Sequence, residues 1–309
     1  MDDSIDNAQG THALQSRLTE SRTPTRPPLS LSIYWRSDPS NFLSQACFEG
    51  NFEVVQYILT EVTEGPHLDD IKDHFQAKLL WACSKGHPEV LTCLLEHGAG
   101  IKHCASYASC LKDADTAIRI YEILFKYGLD LADYPGIVYD WIGNETVLQY
   151  LLSKGADPNG LDDFDSVPLN SCGRKSTIKL LISYGADVSR APMLHHDICC
   201  PNHSFTEEHC EFLLSVGVDI NARAKYPGDA PPGSKVFRDA ASSLLNGGTA
   251  LHFAVRKYGS KGRDTNYLPR AKWLLEHGAK LDIKDDRGLT PLDYATDQAM
   301  IDLLESYKL

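Results

Sequence analysis

The chain has 309 residues, of which 42% are hydrophobic and 23% are charged, and its formal net charge is −12. These proportions are typical of a folded globular protein with a sizeable core, and they exclude wholesale disorder. The net negative charge argues against a protein whose main task is to coat nucleic acid, because binding to phosphates requires a basic surface.

The N-terminal residues predict neither a secretory signal nor a membrane span. The chain starts with the acidic stretch Met1–Asp6, and apolar runs such as Leu79–Cys83 are far shorter than the roughly 18 residues of a spanning helix. We therefore expect a cytoplasmic and/or nuclear protein that contacts no membrane. Residues 1–37 are polar and proline-rich and are predicted to be a disordered leader. The odd number of cysteines, 9, favours free thiols over a disulfide framework.

From residue 38 onward one pattern recurs, an apolar helical stretch that ends in glycine. The glycines in question are Gly98, Gly128, Gly155, Gly185, Gly217 and Gly278. They are spaced about thirty residues apart, except for a last interval of about twice that length. Such a period is typical of solenoid proteins. Because glycine tolerates the left-handed conformation, each of these residues is predicted to cap the C-terminus of a helix.

A second pattern precedes several of these helices. Its clearest copies are Thr249-Ala250-Leu251-His252 and Thr290-Pro291-Leu292-Asp293, and weaker copies begin at Val167 and Pro192. A threonine N-cap followed by proline starts a helix with little loss of backbone hydrogen bonding. After the glycines, segments such as 217–221 predict extended turns. Small residues at the positions where helices approach closely are predicted to be buried; these are Ala46, Cys47, Ala82, Cys83, Cys110, Cys172 and Ala254.

These sequence patterns resemble those of the ankyrin repeat family. Its consensus reads Thr-Pro-Leu-His, two small residues, Gly-His, and a Leu-Leu helix that ends in Gly-Ala-Asp-Val-Asn. The resemblance implies an all-α fold, an ankyrin-repeat solenoid in which each repeat has two short antiparallel helices and a projecting turn. It covers residues 38–309, which we interpret as the ankyrin-repeat domain. The predicted repeats, about eight, are 38–74, 75–104, 105–143, 144–166, 167–191, 192–221, 248–287 and 288–309, with an inserted loop at 222–247.

The resemblance also implies a function, which is protein–protein interaction through the concave groove. Stand-alone ankyrin proteins act as regulatory adaptors, transcription co-regulators among them. We therefore expect a monomeric binding module that needs no cofactor, holds no metal and is not an enzyme. Its expected partner is another protein, engaged through an acidic segment, and no direct contact with nucleic acid is expected.

The candidate binding residues follow from the repeat register, since in ankyrin repeats the residues just after the small pair of the first helix face the groove. The predicted binding residues are Lys85, Lys112, Arg174, Lys175, Arg223, Lys225, Tyr226, Arg256 and Lys257, with Tyr134, Phe164 and Arg287 at the turn edge. Two interpretations remain open. The basic residues form a groove for an acidic peptide, or they are ordinary solvated charges at helix ends. The loop 222–247 is either functional or merely disordered.

The alternative function is an unrecognised enzyme or a metal-binding protein that uses repeat 192–221 and loop 222–247. The common phosphate-loop, dinucleotide, nucleophile-elbow and zinc-protease motifs are missing from the sequence. One dense group of ligand-type residues spans 195–203 and continues at His209 and Cys210. Zinc accepts such donors, but the paired-cysteine spacing of zinc modules is missing because Cys199 and Cys200 are adjacent.

Overall fold

The computed structural model describes residues 39–62, 75–162, 166–199, 206–224, 247–256 and 267–308. The chain divides into two compact units, one that ends at Leu129 and one that begins at Asp130. This boundary lies inside the predicted repeat 105–143. The predicted leader 1–37 and most of the predicted loop 222–247 lie outside the described residues.

Unit 1 consists of three helix pairs. The first helices are α1 (Pro39–Glu49), α3 (Phe75–Lys85) and α5 (Cys104–Ala108), and the second helices are α2 (Phe52–Val62), α4 (Pro88–Glu96) and α6 (Ala114–Lys126). First helices pack on first helices and second helices on second helices, so that each repeat buries its apolar face against the next.

Local sequence explains where the helices of unit 1 begin. Proline occupies the first position of α4, where its missing N–H costs nothing. Asp113 caps α6, and its carboxylate accepts a hydrogen bond from the backbone N–H of Thr116 at 2.8 Å. The core lies between the two helix layers, where Tyr121 is fully buried and donates its hydroxyl proton to the carbonyl oxygen of Ala105 at 2.9 Å.

Unit 2 repeats the arrangement with shorter first elements. The first elements are α7 (Ile137–Asp140), a 3-10 turn (Pro168–Ser171), α10 (Met193–Cys199), α12 (Ala250–Val255) and a 3-10 turn (Pro291–Tyr294). The second helices are α8 (Glu145–Ser153), α9 (Lys175–Ser183), α11 (Glu207–Ser215), α13 (Tyr267–Glu276) and α14 (Gln298–Ser306). Two further 3-10 turns, Leu131–Asp133 and Val188–Arg190, lie before first elements. The first elements stack on one another in chain order.

Two of the predicted helix starts give only 3-10 turns. Val167 and Thr290 are N-caps, and each is followed by proline at the first position of the element, as predicted. Each element nevertheless has only four residues. The backbone of Cys172 and of Ala295 is extended, so the helix cannot continue beyond the first turn. Within the described ranges the regular structure is helical, and one isolated β-bridge joins Arg223 to Thr249. The predicted all-α fold is therefore confirmed.

The six glycines of the recurring pattern all adopt the left-handed conformation, with φ between +91° and +99°. The predicted C-caps are therefore confirmed. Their common geometry explains the period of the sequence, because each helix pair needs one residue that tolerates this backbone.

Most of the predicted small residues are buried, including Cys47, Cys83 and Ala254. The prediction is wrong for Cys110, which is exposed because helix α5 ends before it, at Ala108. Cys172 is half-buried. The seven cysteines that the structure describes form no disulfide with one another.

Candidate functional site

In unit 1, the predicted binding residue Lys85 is the last residue of α3 and lies over an exposed aromatic ring. Its Nζ is 4.5 Å from the ring centroid of Phe48, the residue before the end of α1. Phe48 in turn makes an edge-to-face contact with Trp81 at 6.2 Å between ring centroids. Lys112 is exposed and immediately precedes Asp113, the N-cap of α6. A cation over a ring face is attracted by the ring quadrupole but keeps its full charge.

In unit 2, Arg174 and Lys175 are neighbours but have different partners. Arg174 caps the N-terminus of α9 and donates from Nη1 to the carbonyl oxygen of Gly143 at 3.3 Å. The Nζ of Lys175 lies 2.6 Å from Oε1 of Glu208. That hydrogen bond and the lysine's charge hold the pKa of Glu208 below its usual value. Lys175 therefore pairs with a carboxylate. The hydrogen bond of Arg174 is to a neutral carbonyl, and the charge of Arg174 also helps to lower the pKa of Glu145.

Arg223 is a structural residue that joins the two ends of the predicted loop 222–247. Its guanidinium forms an ion pair with Asp286, and its Nε donates to the carbonyl oxygen of Gly247 at 2.7 Å. The backbone N–H of Ala224 also donates to the carbonyl oxygen of Gly248 at 2.9 Å. The flanks of the loop are therefore fixed to each other.

Two predicted residues, Arg256 and Arg287, come together around Tyr294. The guanidinium carbon of Arg256 lies 4.8 Å from the centroid of the tyrosine ring, and the charges of both arginines act on the tyrosine hydroxyl. That hydroxyl donates to Asp285, which also accepts from the backbone N–H groups of Arg287 and Leu289. Burial acts to raise the pKa of Asp285, but these hydrogen bonds outweigh it and lower the pKa.

Five predicted binding residues remain, and for four of them the structure gives no position. Tyr134 is half-buried at the end of the 3-10 turn Leu131–Asp133. Phe164, Lys225, Tyr226 and Lys257 lie outside the described residues.

In the described part of the predicted repeat 192–221, which is rich in His and Cys, these side chains make packing contacts and hydrogen bonds. His195 is buried, and its Nε2 lies 3.1 Å from the carbonyl oxygen of Gly248. Burial lowers the pKa of His195 to about 4, so the ring is neutral near pH 7. His209 pairs with Asp197 at 3.2 Å, and Cys210 is buried. Where the structure describes the chain, no three His, Cys, Asp or Glu side chains are grouped so that they could hold a metal ion.

The sequence analysis missed two exposed aromatic residues on first helices of unit 1, Trp81 and Tyr107. Trp81 lies four residues before Lys85 on α3, and Ala77 lies four residues before Trp81. Residues four apart share one face of a helix, so this spacing was available in the sequence. It was overlooked because Trp81 directly precedes the buried pair Ala82 and Cys83.

A match to a known family agrees with the helix pairs described above. The family model of the ankyrin repeat matches residues 246–286, which include α12 and α13. The chain contains an ankyrin repeat at these residues. Ankyrin repeats are modules of protein–protein interaction, and each buries its core by stacking on its neighbours, as the helix pairs of both units do.

Two solved structures are similar to this chain. The crystal structure of the ankyrin repeat domain of Bcl-3, described as a unique member of the IkappaB protein family, shares 20% identity with a TM-score of 0.43, and covers 85% of this chain and 97% of that one. The human ASB11 ankyrin repeat domain shares 16% identity with a TM-score of 0.39, and covers 86% of this chain and 96% of that one. At these values the two structures bear on neither the partner nor the function of this chain. No curated protein sequence gives a significant match.

Among the helices in the described ranges, none is both long enough and apolar enough to span a bilayer.

Proposed function

We propose that the whole chain is an ankyrin-repeat protein that acts as a monomeric regulatory adaptor. It binds an acidic segment of a partner protein on its first helices and the turns after them. Transcription co-regulation is one such role, and it accords with the expected cytoplasmic and/or nuclear location. The resemblance to stand-alone ankyrin proteins suggests the adaptor role, and the positions of the basic side chains suggest the chemistry of the partner.

The observation that carries the proposal is that exposed cations remain at the ends of first elements. Lys85 lies over a ring and Arg174 donates to a carbonyl oxygen, so neither of these contacts removes the charge. Lys112 makes no ion pair with any residue that the structure describes. Each unit thus presents a positive group, although the chain as a whole is acidic. Such local charge steers an oppositely charged partner segment and fixes its register.

The other described basic residues contribute less in this proposal. Lys175 and Arg223 already pair with Glu208 and Asp286, and a partner's carboxylate would have to compete with these. Exposed ion pairs are weak, so such competition is feasible, but it lowers the gain in binding free energy.

A charge-reversal experiment tests the proposal. The variant Lys112→Glu/Arg174→Glu/Arg256→Glu and a matched control, Lys126→Glu/Lys154→Glu/Lys179→Glu, have the same net charge. The control residues lie on or directly after second helices. Both variants and the wild type are used to capture proteins from cell extract, and circular dichroism checks the fold.

The proposal expects partners that the wild type and the control variant retain and the first variant loses. It also expects a captured partner to lose binding when Asp and Glu of its contacting segment are changed to Asn and Gln. Partners that are captured equally by all three proteins would show that the binding surface lies elsewhere.

A further inference from the structure

Three large aromatic side chains on the first helices of unit 1 are exposed. The exposed fractions are 48% for Phe48, 38% for Trp81 and 44% for Tyr107. These residues lie on α1, α3 and α5, which pack side by side in that order. Large exposed aromatic residues are common at binding surfaces, because a ring supplies much contact area and loses little conformational entropy on binding.

The core beneath the aromatic residues consists of other side chains of α1 and α3. The buried residues there include Leu43, Ala46, Cys47, Leu79, Ala82 and Cys83. Phe48 and Trp81 instead contact each other edge to face, and Lys85 covers part of the Phe48 ring. We call Phe48, Trp81 and Lys85 the aromatic–lysine patch.

Charge selects the kind of partner that fits this patch. Neither α3 nor the stretch 104–112 contains an Asp or Glu, whereas each ends in lysine, Lys85 and Lys112. Glu49, next to Phe48, keeps its negative charge, because the group that donates to it at 2.9 Å is the neutral amide of Gln45. An anionic group is therefore favoured next to Lys85 and away from Glu49.

We propose that the aromatic–lysine patch binds a partner segment in which an apolar side chain stands next to a carboxylate. The apolar side chain packs against the rings of Phe48 and Trp81, and the carboxylate pairs with Nζ of Lys85. Because Lys85 is already held over Phe48, less side-chain entropy is lost when the ion pair forms. This inference rests on the proposed function, and it adds that the acidic segment carries an apolar anchor.

A set of defined peptides tests the inference with the full chain. The probe is a blocked, fluorescein-labelled twelve-residue peptide of repeated Leu-Leu-Asp-Asp blocks. One matched peptide has Ser-Ser-Asp-Asp blocks, which keep the charge and remove the anchor, and another has Leu-Leu-Lys-Lys blocks, which reverse the charge. Vesicles with and without phosphatidylserine form a further arm. Fluorescence anisotropy reports peptide binding, and co-sedimentation reports vesicle binding.

The variants Trp81→Ala, Phe48→Ser and Lys85→Glu probe the patch. The matched control is Lys126→Glu, since Lys126 also lies over a ring, that of Tyr127 at 5.6 Å, but at the end of the second helix α6. As a measurement independent of the variants' stability, 5-fluorotryptophan is incorporated into the wild-type chain. The fluorine signal of Trp81 is assigned by its loss in the Trp81→Phe variant.

The inference predicts that the Leu-Leu-Asp-Asp probe binds and shifts the Trp81 fluorine signal. Each patch variant weakens binding by about tenfold or more, and Lys126→Glu leaves it unchanged. Equal binding of the Ser-Ser-Asp-Asp peptide would overturn the apolar anchor and leave the proposed function standing. Binding of vesicles but of no peptide, or no binding at all, would overturn the inference, while the capture experiment decides the proposed function separately.

Discussion

Asn221 is hydrogen-bonded to Gly278, although 57 positions separate them in sequence. The Nδ2 of Asn221 donates to the carbonyl oxygen of Gly278 at 3.1 Å, and its Oδ1 accepts from the backbone N–H of Lys280 at 2.8 Å. Asn159 makes the same pair of bonds, to Gly185 at 2.9 Å and to Asp187 at 2.7 Å, over only 26 and 28 positions. The same pair of hydrogen bonds therefore joins the repeats on either side of the inserted residues.

Removal of this asparagine bridge is predicted to destabilise unit 2. The change Asn221→Ala leaves a backbone N–H and a carbonyl without their partner, which costs about 1–2 kcal/mol because both groups are exposed enough to recover some bonding with water. Urea unfolding measures the free-energy difference. Asn159→Ala is expected to cost a similar amount, whereas Gln149→Ala, an exposed change on α8, stays within about 0.5 kcal/mol of the wild type. Equal stability of the Asn221 and Gln149 variants would contradict the bridging role.

Replacement of Gly185 by valine tests the helix caps. Gly185 has a φ of +94°, and a Cβ added there would meet no atom within 4 Å. The cost therefore comes from the backbone alone, and we expect about 1–2 kcal/mol of destabilisation, measured by thermal or urea unfolding. Gly173 has equally open surroundings without the left-handed backbone, so Gly173→Val is the control and is expected to cost less. A wild-type melting temperature for the Gly185 variant would contradict the cap assignment.

Because His195 is buried, we predict that the free energy of unfolding decreases at acidic pH. Its folded pKa of about 4 lies below the ordinary value of 6.5, and the main cause is burial. Between these pH values the unfolded chain binds a proton that the folded chain does not, so stability falls as the pH drops from about 6.5 to about 4 and no further below that. Above pH 6.5 the residue contributes no pH dependence.

The variant His195→Gln isolates this contribution, because glutamine can still donate to the carbonyl oxygen of Gly248 but does not titrate. Unfolding free energies are compared at steps between pH 7 and pH 4. The difference between wild type and variant should change in this window, with the wild type losing more stability. Parallel curves would mean that His195 is protonated as easily in the folded chain as in the unfolded one.

The thiols are predicted to differ in reactivity. Cys110 is exposed, whereas burial raises the pKa of Cys47 and Cys210 to about 12 and that of Cys93 to about 11. Since the thiolate is the reactive form, a brief alkylation of the native protein should modify Cys110 well before those three. Mass spectrometry of the digested protein gives the extent of labelling at each site, and alkylation in urea is the reference. Early labelling of Cys47 would show that the core of unit 1 opens.

Local features of the fold were predictable from the sequence, and features that join repeats were not. A glycine such as Gly128 marks a helix end because the left-handed backbone there disfavours residues that have a Cβ, and this can be recognised in any single repeat. The pairing of Lys175 with Glu208 and of Arg223 with Asp286 depends instead on how repeats lie against each other, over 33 and 63 positions. The sequence indicated which residues were basic, but not which of them a neighbouring carboxylate neutralises.

The most direct test of the account is a map of partner contacts by photo-crosslinking. Benzoylphenylalanine is placed at Tyr107 in unit 1 and at Ser171 in unit 2, both exposed on first elements, and at Tyr127 and Tyr184, which directly follow second helices. After irradiation in cell extract, adducts are identified by mass spectrometry. We expect adducts with a defined partner at Tyr107 or Ser171 and none at Tyr127 or Tyr184. Adducts confined to Tyr127 and Tyr184 would contradict binding on the first elements.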